Sequence, residues 1–239
     1  MSLIDVAKRR AAEEALKMVE DGQVIGVGSG TTVEVFLELL KDKLRKEHIR
    51  IEAIASSRRI RDLLINMRIP VRTLDEEPEP DLAIDGADEV DLRMNLIKGG
   101  GGAHAMEKVI DAAAKKLVII VDYTKLSVRL CEKKPIPVEV LPEAVGYVKK
   151  KLYELGAKLV EVRMCKGGKY GPVVTENGNL ILDAHFSPLD EPEKLELEIK
   201  RLPGVVEVGL FCGMTDVLIV GHPDRVEVVE RRERGKRGG

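Results

Sequence analysis

Asp81-Leu82-Ala83-Ile84-Asp85-Gly86-Ala87-Asp88-Glu89, followed by Lys98-Gly99-Gly100-Gly101-Gly102 and then by Glu107, is the stretch that decides the fold. Its first residues form an apolar, strand-like run that ends in a carboxylate, and the glycines pass into a helix-like segment. A strand, a charged loop and a helix in succession make the repeating unit of an α/β fold, whose ligands bind outside the carboxyl ends of the strands. Consecutive glycines let backbone amides approach a ligand with no Cβ in the way. Carboxylates, an ammonium group and bare backbone in one short stretch suit proton transfer on a small anionic substrate. A Gly-rich turn with ordinary surface charges is the alternative, and the place at a strand end weighs against it.

Outward from this stretch the same alternation recurs. Leu3 to Glu20 reads as an amphipathic helix, Gln23 to Val27 as a strand, and Gly28-Ser29-Gly30-Thr31-Thr32 as a turn into a helix reaching about Leu44. Ile49 to Ala55 and Ile69 to Leu74 are further strands, with Ser56-Ser57 placed to cap the helix between them. Ala103 to Ala114 is helical and Leu117 to Val121 is a strand. The expected fold is therefore α/β, with a doubly wound parallel, Rossmann-like sheet over residues 1–130. At Pro135-Ile136-Pro137 the pattern becomes β-α-β-β-α-β, the order of a ferredoxin-like unit, which predicts a smaller α+β domain over residues 131–210. Asn177-Gly178 marks a hairpin turn within it. Val217 to Gly221 is one more apolar strand, expected to return with 211–239 to the first sheet.

Composition narrows the function. The 239 residues are 44% apolar and 33% charged, enough for a real core, and 39 basic against 41 acidic residues leave a net charge of −2. That balance does not suit a nucleic-acid or membrane binder. Aromatics make up 3% with no Trp, which argues against base stacking. Cys131, Cys165 and Cys212 form no CxxC pair, and a reduced, cytoplasmic protein is expected. No signal peptide or membrane-length apolar run is evident. The basic tail from Arg231 to Arg237 reads as a solvated terminus. One Gln and four Asn in so charged a chain lean towards a thermophilic source.

The Gly28–Thr32 loop resembles a dinucleotide fingerprint, but the third glycine would fall at Thr31, and no acidic residue follows Ala55-Ser56-Ser57 to hold a ribose diol. Free amides, the hydroxyls of Ser29, Thr31 and Thr32, and a helix N-terminus fit a phosphate or carboxylate instead. An ordinary capped turn is the bland reading. Asp85 and Asp88 could hold Mg²⁺, but Lys98 would compete for the same oxygens, so an organic acid–base site is preferred. Glu107 lies nine residues beyond Lys98, where the helix dipole favours its ionised form and burial opposes it. Lys125, in Asp122-Tyr123-Thr124-Lys125 at another strand end, is a candidate anion ligand. His104 reads as a bystander at the exit of the glycine loop. His48, His185 and His222 have no metal-ligand spacing.

In order and spacing, Gly28-Ser29-Gly30-Thr31-Thr32, Asp85-Gly86-Ala87-Asp88-Glu89, Lys98-Gly99-Gly100-Gly101 with Glu107, and Asp122-Tyr123-Thr124-Lys125 resemble ribose-5-phosphate isomerase of the A type, over nearly the whole chain. The resemblance implies interconversion of ribose 5-phosphate and ribulose 5-phosphate through an enediol, with neither metal nor organic cofactor. It implies Glu107 as the base, Asp85 in ring opening and hydroxyl proton handling, and Lys98 with the loop amides stabilising the enediolate. Asp88 would bind hydroxyls. Ser29, Gly30, Thr31, Thr32 and Lys125, together with Gly86, Ala87 and the Gly99–Gly101 backbone, would contact the sugar phosphate. A homodimer or homotetramer is also implied. The chain departs from the family's pattern in the fourth glycine, Gly102, and in His104, where the family usually carries an apolar residue. A non-catalytic sugar-phosphate sensor and a metal-dependent sugar phosphatase are the competing readings. The first would call for a DNA-reading module, which the charge pattern does not show, and the second for a metal.

Overall fold

A computed structural model of the protein describes residues 2–168 and 170–231; the basic tail beyond Arg231 and Lys169 of the expected 166–172 loop lie outside the described residues. The strands are β1 (Val24–Val27), β2 (Glu52–Ala55), β3 (Val71–Arg72), β4 (Leu82–Asp85), β5 (Glu89–Val90), β6 (Leu96–Ile97), β7 (Leu117–Asp122), β8 (Ile136–Val140), β9 (Leu159–Val162), β10 (Leu180–His185), β11 (Val205–Val208), β12 (Leu210–Phe211), β13 (Val217–Gly221) and β14 (Val226–Glu230). The helices are α1 (Leu3–Ala15), α2 (Thr31–Glu47), α3 (Arg58–Asn66), α4 (His104–Ala113), α5 (Val145–Glu154) and α6 (Pro192–Lys200). The chain divides into two compact units, one of Met1–Ala87, Val109–Lys125 and Met214–Gly239, the other of Asp88–Lys108 and Leu126–Gly213.

In the first unit a seven-stranded sheet runs β14-β13-β7-β4-β1-β2-β3. All its pairings are parallel except β13 with β14, and β13 joins β7 as a strand returning from the far end of the chain should. Every residue of β4 and β7 is buried, as expected for parallel strands covered on both faces. On α2 the buried Val33, Phe36, Leu37 and Leu40 recur at helical spacing, and they join Ile25, Val27, Ile84 and Ile120 in one core. Each such side chain contributes about 1.5–3 kcal/mol relative to exposure. Helix α1 instead presents Ala7, Ala11, Ala12 and Ala15, and a Cβ at Gly221 would lie 1.8 Å from the Ala7 carbonyl oxygen. Small residues on both elements are what allow the helix to lie so close to β13. Ser2 and Asp5 close its N-terminus as a reciprocal capping box. Ser57, rather than Ser56, caps α3, accepting from the Ile60 amide.

In the second unit a four-stranded antiparallel sheet runs β11-β8-β10-β9, the order of a ferredoxin-like unit. Val138, Val140, Leu182 and Val160 pack there with Val148 and Leu152 of α5 and Ile199 of α6. A three-stranded sheet, β12-β6-β5, belongs to the same unit and had no counterpart in the expected elements. Its strands are two residues long, too short to show a period. They change the expected boundaries: residues 88–108 and 126–130 group with the second unit, as do 211–213, so the smaller domain is not confined to 131–210.

Candidate active site

The expected site residues form two constellations, one in each unit. In the first, Asp85 ends β4 and is fully buried. Its Oδ1 accepts from the amides of Ser29 (3.1 Å) and Gly86 (2.6 Å). A Cβ at Gly28 would fall 1.8 Å from Asp85 Cγ, so glycine there is a steric requirement of the buried carboxylate. The Ser29 amide is thus held by protein, and the loop does not present all its donors to an anion. Gly30 turns the chain into α2 with φ +118°, which favours glycine, and no side chain caps that helix. Lys8, which sequence reasoning did not single out, donates to Thr31 Oγ1 at 2.9 Å and brings an ammonium group from α1 to the loop. Thr32 is buried. Lys125 stands half-buried at the end of a 3₁₀ turn directly after β7, where Asp122 Oδ1 accepts from the Thr124 amide at 3.0 Å.

The second constellation is built on the glycine turn. Lys98 and Glu107 are 2% and 4% exposed, and their Nζ and Oε2 lie 3.2 Å apart. Two charges this deeply buried persist because each neutralises the other. Glu107 sits in the first turn of α4, its amide bonded to the Ala103 carbonyl. The Lys98 amide donates to the Gly209 carbonyl, and a Cβ at Gly209 would lie 2.4 Å from the Lys98 oxygen. The Phe211 ring centroid is 5.5 Å from Lys98 Nζ, a cation–π distance.

Beyond Lys98 the chain makes a tight turn in which the Gly102 amide donates to the Gly99 carbonyl at 3.0 Å. Asp88 Oδ2 accepts from the Gly100 amide at 2.7 Å, so one oxygen of this expected hydroxyl ligand is occupied by the loop. Arg163 Nη1 donates to the carbonyls of Gly99 (2.7 Å) and Gly100 (3.2 Å), while its Nε and Nη2 both bond the Asp183 carboxylate. Sequence reasoning missed Arg163 and Asp183, which are more than 60 residues from the loop and lie in or beside alternating strands where charge reads as solvent-facing. Gly100 and Gly101 are exposed, and among the described residues the Gly101 amide has no bond.

His104 is fully buried, and a Cβ at Gly99 would meet its Nδ1 at 2.7 Å, so the ring packs directly on the loop backbone. Burial holds its pKa below the usual value against the opposing pull of Glu139 and Glu107, which keeps it neutral at pH 7. Glu139, also fully buried, accepts through Oε1 from Thr175 (2.8 Å), Asn177 (3.1 Å) and Asn179 (2.8 Å). Glu89 of the carboxylate motif serves the fold rather than a ligand, because its oxygens take the amides of Glu132, Lys133 and Lys134 at 3.0–3.2 Å. Burial pushes the Cys131 thiol up to about 12 and raises that of Cys212 as well, so neither is a nucleophile at neutral pH. No group of three His, Cys, Asp or Glu among the described residues has metal-binding geometry.

An α/β protein with a buried Lys–Glu pair beside a glycine turn belongs, as a class, with enzymes that move protons on small anionic metabolites. Residues 52–225 match the family model described as ribose 5-phosphate isomerase A (phosphoriboisomerase A). Ribose-5-phosphate isomerase A of Pyrococcus abyssi is 44% identical over 95% of this chain and 99% of that protein, and that of Archaeoglobus fulgidus is 48% identical over 90% and 94%. The solved ribose 5-phosphate isomerase A of Methanocaldococcus jannaschii superposes with a TM-score of 0.90 at 42% identity, covering 96% of this chain and all of that one. A D-ribose-5-phosphate isomerase solved in complex with phospho-erythronic acid has a TM-score of 0.92 at 43% identity over 97% of this chain and all of that one. The chain belongs to the ribose 5-phosphate isomerase A family.

Proposed function

We propose that this protein interconverts D-ribose 5-phosphate and D-ribulose 5-phosphate by proton transfer through an enediol. The observation that carries the reading is the buried Lys98–Glu107 ion pair at the glycine turn, supported by a relative that holds phospho-erythronic acid. A proton on carbon next to a carbonyl is weakly acidic, so its removal needs a placed base and a stabilised oxyanion. Glu107 takes the proton from C2 of the open-chain aldose and returns it to C1. As negative charge grows on the oxygens, the Lys98 ammonium and the open turn amide stabilise it without a metal ion. Asp85 assists ring opening and proton traffic among the hydroxyls, and the outer oxygen of Asp88 holds a hydroxyl.

The Gly28–Thr32 loop, Lys125 and the ammonium of Lys8 hold the 5-phosphate. A helix N-terminus with no side-chain cap supplies amides and a favourable dipole for it. The same reading carries a place in the non-oxidative pentose phosphate pathway, a cytoplasmic location and assembly as a homodimer or homotetramer. Conversion in deuterium oxide tests the mechanism: the ketose should acquire solvent deuterium at C1, because the proton on Glu107 exchanges. Ketose carrying only the substrate's hydrogen at C1 would fit hydride transfer or a base sealed from solvent, and would contradict the exchange that this proposal requires.

A further inference from the structure

The Gly99–Gly100 peptide is gripped at both poles. Its carbonyl receives Arg163 Nη1 at 2.7 Å, and its N–H is taken by Asp88 Oδ2 at 2.7 Å. A peptide held on opposite sides by full charges cannot flip without breaking two charge-assisted hydrogen bonds, each roughly twice as strong as a neutral one. Its other restraints act the same way: Gly99 has φ +102°, and His104 fills the space on the side where a Cβ would stand.

Arg163 is itself fixed. Its amide bonds the Ile181 carbonyl at 2.8 Å, its carbonyl takes the Val173 amide at 2.8 Å, and its guanidinium fork closes on Asp183. Both side chains are largely buried, at 16% and 20% exposure, so the pair is shielded from the screening that weakens surface ion pairs. A guanidinium has a planar set of donors that can serve a carboxylate on one edge and a carbonyl on the other, which an ammonium cannot reproduce. Through this chain of contacts, β10 and the residue after β9 fix the orientation of a turn in which exposed Gly101 has an amide with no hydrogen bond among the described residues.

We propose that Arg163, anchored by Asp183, is a positioning residue for the isomerisation, a role that rests on the function proposed above. It holds the Gly99 carbonyl so that the glycine turn stays set to receive the developing enediolate. Preorganised donors accelerate a reaction because they need not reorient as charge develops, so loosening the turn should fall on turnover rather than on ground-state binding.

The test is steady-state kinetics of Arg163→Ala and Arg163→Lys, with ribose 5-phosphate as substrate. Arg163→Ala should lower kcat by roughly 10–10²-fold and leave KM within about twofold. Guanidinium ion at millimolar concentration should restore part of that kcat while leaving the wild type unchanged, a response that a general loss of folding would not give. Arg163→Lys keeps the charge but not the two-sided fork, so it should also lose kcat, and it serves if the Ala variant does not fold. Wild-type kcat in a folded variant, a change confined to KM, or a loss that guanidinium does not repair would overturn the proposal. A wild-type protein unable to isomerise ribose 5-phosphate would instead overturn the reading on which it rests.

Discussion

The glycine loops at Gly28–Thr32 and Lys98–Gly102 are built on different principles. Gly28–Thr32 follows β1 and enters α2 without a side-chain cap, its first two amides held by the Ile84 carbonyl and the buried Asp85 carboxylate. Lys98–Gly102 is tied down at nearly every peptide: by Gly209 at its start, Asp88 and Arg163 in its middle, and its own 99–102 hydrogen bond at its end. A loop that binds a tetrahedral anion can adjust, because a phosphate presents acceptors in every direction. A loop that meets a charge appearing on one oxygen must already point at it. Glycine thus serves two ends here, a left-handed turn into a helix at Gly30 and room for close-packed neighbours at Gly99 and Gly100. Gly28 is of the second kind, since Asp85 occupies the space of a Cβ.

The largest effect expected is in the clamped region. Glu107→Gln removes basicity while keeping size, and turnover should fall by roughly 10²–10⁴-fold with little change in substrate binding. Because Glu107 neutralises a buried Lys98, the variant should also melt at a lower temperature, an effect that burial of the pair adds to the simple loss of a base. Near wild-type turnover would move the base elsewhere, with Asp85 next in line. In the other loop, Gly28→Ala forces a methyl into Asp85, and overpacking of this kind costs about 1–3 kcal/mol. A thermal unfolding curve unchanged by the substitution would mean that the carboxylate moves aside freely.

Smaller effects separate the loops further. Thr31→Val and Lys125→Ala should each weaken binding by about 1–3 kcal/mol with kcat largely kept, the reverse of the Glu107 pattern, and ribose without its phosphate should be a very poor substrate. Free ribose turned over as well as its phosphate would show that this loop does not hold an anion. The smallest effect concerns His104. Its folded pKa lies below the ordinary 6.5, so the unfolded chain binds the proton more readily. The stability its burial brings is then fully present above about pH 6.5 and is lost as pH falls below it. Urea unfolding of His104→Leu should show a flatter pH dependence between about pH 7 and 5 than the wild type. Identical slopes would mean that His104 titrates normally.

Much of this was legible in the sequence because it is local. A buried run ending in Asp85, a glycine stretch and a Glu nine residues beyond Lys98 lie within one strand–loop–helix unit, where spacing alone sets the neighbourhood. The strand–helix alternation likewise pointed to the parallel sheet and the ferredoxin-like order. What escaped depends on long-range pairing. β5 and β6 are too short to carry a period, yet pairing with β12 draws residues 88–108 into the second unit. Arg163 and Asp183 read as the polar face of strands, and Lys8 as the polar face of a helix, until the fold brings each to a loop. Glu89 misleads in the other sense, since it stands in the carboxylate motif yet spends both oxygens on the amides of residues 132–134.

The proposed mechanism asks only an ammonium group, a carboxylate and oriented backbone to move a proton between two sugar carbons. Extensive dialysis of the purified protein against a chelator, followed by ribose 5-phosphate and assays for both ketose and inorganic phosphate, puts this to the test. Ribulose 5-phosphate should form at nearly the undialysed rate, with no phosphate released. A rate that disappears and returns only with Mg²⁺ or Mn²⁺, or phosphate released in place of ketose, would refute it.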